Sequence, residues 1–274
     1  MTAVLEVGSI GAGGGSRPPV VAVGLFSREE RFEVTVRVRV PGREPEVRVL
    51  SPSDRELQEL SPASLLPMRD VHRGRPHQLG RVTQVPLHHR LGSSLVCESR
   101  FEAMRVQELV FFERVGAIAA QPMRVRCQDE SGAGLVPDLF LVTPDGARVL
   151  ESVRPVALRD AAFRRNCELL AEFARSVGWE FVVSGETTEA YGELIQLLSA
   201  YARVRVPAAV LERVKDAFTE RPEWAYAELV EQCAGEDPVA HAALRALMWR
   251  RRLIFDLEEG LHHNARVTYA GVLA

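Results

Sequence analysis

Lysine is all but missing from this chain: Lys215 stands alone among 34 basic residues, so arginine carries the remaining positive charge. A very GC-rich coding sequence produces that bias, and it makes any arginine in place of a motif lysine partly a background effect. Cysteine is sparse and scattered. Cys97, Cys127, Cys167 and Cys233 form no CxxC pair, which excludes the usual zinc spacings and points to reduced thiols in a cytoplasmic protein. No run of about 18 apolar residues occurs, so no membrane span is expected. The N-terminus lacks a basic segment followed by an apolar one, so export is not expected. The net charge of −3 excludes a globally basic nucleic-acid binder and leaves any such role to local patches.

What is present divides into four stretches. Residues 1–19, with Gly13-Gly14-Gly15 and two prolines, read as a flexible leader. Residues 20–92 form a β-rich N-terminal extension. In it Phe32 to Val40 alternates apolar and polar strictly, Pro41-Gly42 turns, and Glu46 to Leu50 returns as the hairpin partner. Residues 69–90 carry Arg69, Arg73, Arg75, Arg81 and Arg90 with four histidines against one acid, Asp70. That composition suits an arm lying along phosphates, where guanidinium groups bind in pairs of contacts, and equally a solvated loop over the sheet.

Residues 93–203 read as the main domain. Phe101, Met104, Leu109 and Phe112 space out one buried face of a helix from about Glu98 to Arg114. Strands follow at Met123–Cys127, Gly134–Val142 and Arg148–Val153, the last two joined by the turn Thr143-Pro144-Asp145-Gly146. A helix from about Leu158 to Val177 stops at Gly178, Trp179–Val183 is a further strand, and Thr187–Ala202 another helix. The sum is an α/β fold, a mixed sheet flanked by helices.

Residues 204–274 change character. Pro207 opens one helix, Tyr226–Cys233 is a second, and Asp237-Pro238 caps a third reaching Trp249; Leu253–Phe255 and Val267–Tyr269 then pair as strands. Three helices with a β-wing outline a winged helix-turn-helix. Arg245 and Arg250-Arg251-Arg252 on its third helix suit DNA phosphates, although such a module serves protein docking equally well.

The central spacing carries the chemistry. If Val142 faces Arg148 across the turn, Asp138 falls opposite Ser152, and Arg154 shares their sheet face because strand side chains repeat every two residues. Glu102 then approaches from the helix. Two carboxylates there suit Mg²⁺, which prefers oxygen ligands, and a neighbouring cation suits developing negative charge. Against this, Glu102 could be ordinary helix-surface charge and Arg154 an ordinary surface arginine. The pairs His88-His89 and His262-His263 lack a further partner at metal-like spacing and read as exposed loop residues. Gln121-Pro122 reads as structural, with the Gln121 amide bonding nearby backbone.

The segments Glu98-Ser99-Arg100-Phe101-Glu102, Gln121-Pro122, Pro137-Asp138-Leu139-Phe140, Val153-Arg154-Pro155 and Ser176-Val177-Gly178-Trp179-Glu180, in this order, resemble the restriction-endonuclease-like PD-(D/E)xK group. More closely they resemble its TnsA-type transposase endonuclease subunits of the actinobacterial branch. The resemblance implies a restriction-endonuclease-like fold and a Mg²⁺-dependent DNA endonuclease, with Mn²⁺ able to substitute. Such a subunit cuts one strand at transposon ends beside a TnsB-like DDE transposase and an ATPase regulator. It assigns Glu102 and Asp138 as metal carboxylates and Arg154 to the position of the group's lysine. Ser152 departs from the pattern, which has Asp, Glu or Gln there. Glu151 is adjacent, but one step along a strand reverses the face. Two further readings therefore stand beside the first: a non-catalytic DNA- or partner-binding scaffold of the same lineage, and a stand-alone repair or defence nuclease.

Overall fold

The computed structural model describes residues 31–69, 83–86, 94–129, 132, 134–185 and 189–271. The leader, and Arg73, Arg75, Arg81, Arg90 and the four histidines of the basic arm, lie outside the described residues. The elements run β1 (Phe32–Val38), β2 (Glu46–Leu50), α1 (Arg55–Gln58), β3 (Leu65–Leu66), β4 (Thr83–Pro86), β5 (Ser94–Cys97), α2 (Arg100–Phe111) and β6 (Ala117–Ala120). There follow β7 (Met123–Cys127), β8 (Leu139–Val142), β9 (Arg148–Val153), α3 (Ala161–Ser176), β10 (Glu180–Ser184) and α4 (Glu189–Ser199). The chain closes with α5 (Ala208–Glu220), β11 (Glu223–Ala225), α6 (Tyr226–Cys233), α7 (Pro238–Trp249), β12 (Leu253–Ile254) and β13 (Arg266–Tyr269). The protein is thus mixed α/β, with both antiparallel and mixed sheets.

The alternating run behaves as its period demands: Phe32, Val34, Val36 and Val38 of β1 are buried and their neighbours half-exposed. β1 pairs with β2 along one edge and with β7 and β3 along the other, all antiparallel. The N-terminal hairpin therefore shares a sheet with a strand from the middle of the chain. A second sheet runs β10-β9-β8-β6. Its β6–β8 and β8–β9 pairs are antiparallel, whereas β9 and β10 are parallel, joined through α3. Val142 does face Arg148, as the turn chemistry required.

Alternation along the strands of the second sheet gives it two apolar faces. Ile118, Ala120, Leu139, Leu141, Val149 and Val153 pack with Ala103, Val106, Leu109 and Val110 of α2. Ala119, Phe140 and Leu150 pack instead with Leu170, Phe173 and Ala174 of α3, and with the inner residues of β1 and β7. Trp179 is buried in that second cluster, stacked on Phe140 with ring centroids 4.6 Å apart. The helix before it starts three residues later than its apolar spacing suggests. Asp160 caps it, accepting from the Phe163 N–H at 2.7 Å, and a short 3₁₀ turn (Val156–Leu158) precedes that cap. It ends as expected at Gly178 (φ 72°), where the Gly178 and Trp179 N–H groups return to the carbonyls of Arg175 and Ala174.

In the C-terminal part β11, β13 and β12 form a three-stranded antiparallel sheet beside α5, α6 and α7. Its core is continuous with that of α2. Leu244, Leu247, Met248 and Trp249 belong to the same buried cluster as Val106 and Leu109, and the rings of Trp249 and Phe111 lie 5.6 Å apart. The arginines near the end of α7 turn inward as well. Arg251 lies over Phe111 and Phe112, Arg250 donates to the Val204 carbonyl, Arg245 lies over Tyr201, and Arg252 donates to the Gly271 carbonyl. Each has an internal partner before any phosphate is considered.

Because that apolar cluster crosses residue 204, Trp249→Ala should destabilise more than the tail alone. The expected loss is about 3–5 kcal/mol, as for large aromatic truncations. Urea unfolding followed by far-UV dichroism should show one transition at a lower midpoint. A separate early transition of the tail, with the main transition unmoved, would contradict the shared core.

Candidate functional site

Ser99 ends an extended segment and caps α2, its Oγ accepting from the Glu102 N–H at 3.1 Å. Glu102 answers in kind. Its Oε1 accepts from Ser99 Oγ at 2.9 Å and its Oε2 from the Glu98 N–H at 2.9 Å. This is a variant of the Ser-x-x-Glu capping box in which the glutamate takes the N–H one residue before the cap; the pattern is legible in Ser99-Arg100-Phe101-Glu102, although apolar spacing along the helix does not reveal it. It explains why a carboxylate only 5% exposed is tolerated there, since both oxygens have donors.

Asp138 sits where the β8–β9 ladder breaks. Pro137 has no N–H to offer, and the Asp138 N–H reaches the Glu151 carbonyl at 3.1 Å, one residue out of step with the Leu139↔Glu151 register. The Val153 N–H, which lacks a regular partner on that side, is taken by Asp138 Oδ2 at 2.7 Å. The carboxylate thus completes the end of the sheet.

The charge of Asp138 reaches Glu102. Burial raises the Glu102 carboxyl to about 7, and the neighbouring Asp138 charge pushes the same way, against the two hydrogen bonds that favour ionisation. Burial raises Asp138 to about 6, opposed by its Val153 bond and by the positive charge of Arg69, and reinforced by Glu98 and Glu151. Cys97, fully buried beside both, is held in its thiol form by desolvation and by their negative charge. Arg69, the one described arginine of the basic arm, pairs with Glu98 at 2.6 Å.

The other sequence-predicted residues lie around this pair in a different arrangement. The face covered by α2 is that of Glu151, not of Ser152: Glu151 is 1% exposed and bonds to Arg105 of α2 at 2.6 Å and to Ser184 Oγ. Glu102 therefore arrives on the Glu151 side of β9, because α2 packs on the face of Leu139, Val149 and Val153. Both of the Glu151 bonds go to its Oε1, and Arg105, which also reaches Glu108 at 3.1 Å, is the cation shared by the two acids. Ser152 is buried in the strand. Arg154 lies over the Phe163 ring at 5.1 Å, on the α3 side. Arg69 is the cation with the largest influence on Asp138; Arg154 and Asp138 both act on Cys167, with opposite sign.

Comparison with known proteins gives no match, either among protein-family models or among curated proteins. Among the described residues no group of three or more His, Cys, Asp or Glu side chains is disposed to hold a metal ion. His262, His263 and His241 belong to no such group. No described helix is long and apolar enough to cross a membrane.

On the α3 side of the sheet, a cavity of about 440 Å³ is lined by Val156, Arg159, Phe163, Arg164, Cys167, Glu168 and Val183. Arg159 donates to the Arg154 carbonyl and Arg164 to the Arg159 carbonyl. Among the described residues, Arg154, Arg159 and Arg164 form no ion pair with a carboxylate. Such a cleft can receive an anion with its positive charge still uncommitted.

Carboxyls raised by the fold are protonated more in the native than in the unfolded state between about pH 4 and about pH 7, so stability falls as pH rises through that window. Glu102→Gln keeps the capping box and removes the charge. It should leave stability near pH 4 unchanged and raise it at pH 8 by roughly 1–3 kcal/mol, since each tenfold change in proton affinity is worth about 1.4 kcal/mol. Urea midpoints across pH 4–8 would show a falling wild-type curve and a flatter variant; parallel curves would contradict the coupling.

Proposed function

We propose that the chain is a divalent-cation-dependent DNA endonuclease subunit of the TnsA-like kind, with Glu102 and Asp138 as its metal carboxylates. On this reading residues 93–203 form a restriction-endonuclease-like domain and residues 204–274 a winged helix. The observation that carries the proposal is the convergence of the two acids. They come from a helix and from the broken end of a sheet, Glu102 buried and Asp138 half-buried, and each is raised by desolvation to near neutrality. A pair of carboxyls still raised despite their hydrogen bonds gains from a cation.

The donor chemistry fits a hard divalent ion, with carboxylate oxygens from two elements and no thiolate, because Cys97 stays protonated. Bound there, the ion would polarise a phosphate and lower the pKa of an attacking water. The chain's own residues do the rest. Ser99 and the Glu98 N–H fix the orientation of Glu102, and the Val153 N–H fixes that of Asp138. Arg69 tempers the negative field, and the cleft lined by Arg159 and Arg164, with Arg154 beside it, offers guanidinium groups to the backbone phosphates of a strand. Arg154 acts here as a fixed positive charge, since a guanidinium does not surrender its proton. The partner on this reading is a TnsB-like DDE transposase, with an ATPase regulator, at transposon-end DNA.

A second reading is supported by its own observations. Ser152 contributes no charged ligand, and both oxygens of Glu102 already serve the helix cap. A catalytically inactive scaffold that binds the same DNA or transposase would show both features.

The chain, a DDE transposase and duplex DNA bearing that transposase's end sequence, incubated with Mg²⁺ or Mn²⁺, should yield a single-strand nick. Asp138→Ala should reduce it by at least a hundredfold, and Glu102→Ala comparably, on a sequencing gel. Equal cutting by wild type and Asp138→Ala would remove Asp138 from the chemistry. Unimpaired DNA or transposase association with no nick would favour the scaffold.

A further inference from the structure

Gln121 carries two irregularities at once. Its backbone is left-handed (φ 47°), where a side chain is strained, and its carboxamide is 1% exposed with neither Nε2 nor Oε1 hydrogen-bonded. The backbone strain has a topological origin. Gln121-Pro122 is the corner at which the chain leaves β6 in one sheet and enters β7 in the other. The orphaned amide has no such origin, and the expected bond to nearby backbone is not made. An unsatisfied buried amide costs about 1–3 kcal/mol, and among the described residues no hydrogen bond of this side chain offsets it.

Its position is informative. The β6–β8 ladder pairs Ala120 with Leu139, and the Gln121 N–H continues it by donating to the Asp138 carbonyl at 2.8 Å. Gln121 is therefore the cross-strand backbone neighbour of Asp138 at the end of this ladder. The Gln121 carbonyl in turn accepts from the Met68 N–H at 2.8 Å, which sets Arg69 at the same corner.

We infer that the Gln121 carboxamide belongs to the carboxylate site, its Oε1 serving as a neutral oxygen donor to the divalent cation held by Glu102 and Asp138. This assignment rests on the cation reading of the two acids and adds a residue to it. A carboxamide suits this corner better than a third acid: it supplies an oxygen to a hard cation without adding to the repulsion already present. It also gives the missing third donor a source other than Ser152.

The test compares wild type, Gln121→Met and Gln121→Glu by Mn²⁺ titration calorimetry and by thermal unfolding without metal. Gln121→Met should bind Mn²⁺ at least about tenfold more weakly. Free of metal it should unfold at the wild-type temperature or higher, because an orphaned polar group has been removed. Gln121→Glu, which retains an oxygen, should bind at least as tightly as wild type. Equal Mn²⁺ affinity in wild type and Gln121→Met would overturn the assignment, as would a lower metal-free unfolding temperature with affinity unchanged, the sign of a purely structural amide. Absence of Mn²⁺ binding by wild type would overturn the cation reading itself, and this inference with it.

Discussion

Two acids held in one poorly hydrated corner repel each other, and the local architecture is arranged to tolerate that repulsion. Glu102 is fixed by a helix cap, Asp138 by the unpaired N–H of a strand end, and Arg69 lends positive charge from a third segment. None of these devices removes the cost of burying two carboxylates together. Both groups stay raised, and a buried thiol beside them is driven further toward its neutral form. The proton or cation that settles the pair is the quantity on which the chain's behaviour turns.

The rest of the fold fixes where that pair can meet. The β9–β10 crossover through α3 packs one face of the central sheet, while α2 and α4 pack the other. The N-terminal hairpin is tied in through β1 and β7, and the C-terminal helices through Trp249 and Phe111. The acids thus sit where two sheets, a helix terminus and a chain corner come together. Movement of any one of these changes the separation of the charges, which is how residues far from the carboxylates can govern them.

Much of this was legible in the sequence because it depends on local rules. The strict alternation of Phe32 to Val38, the Thr143–Gly146 turn with its Val142↔Arg148 register, and the glycine stop at Gly178 each follow from backbone sterics and period. The spacing also put Glu102 on the helix facing Asp138, and the Asp138 charge does act on it. The side of the sheet was not anticipated, since which helix covers which face is a tertiary choice that strand alternation alone does not fix. Glu151, balanced by Arg105, shares the helix face assigned from spacing to Ser152. Arg69, from a stretch read as a phosphate-binding arm or a solvated loop, is the cation with the largest influence on Asp138, a role its sequence position did not reveal. The capping role of Glu102 was available in the Ser-x-x-Glu pattern and competes directly with a metal reading. The tail arginines looked free for phosphate in the linear sequence, whereas aromatic rings and carbonyls distant in the chain engage them.

A crystal grown at neutral pH and soaked in Mn²⁺ tests the central claim most directly, through the metal's anomalous scattering. An anomalous peak between the carboxylates of Glu102 and Asp138, within about 2.0–2.4 Å of an oxygen of each, is what the account requires. A diffraction map with no such peak, and the two acids joined by a shared proton or turned apart, would contradict it.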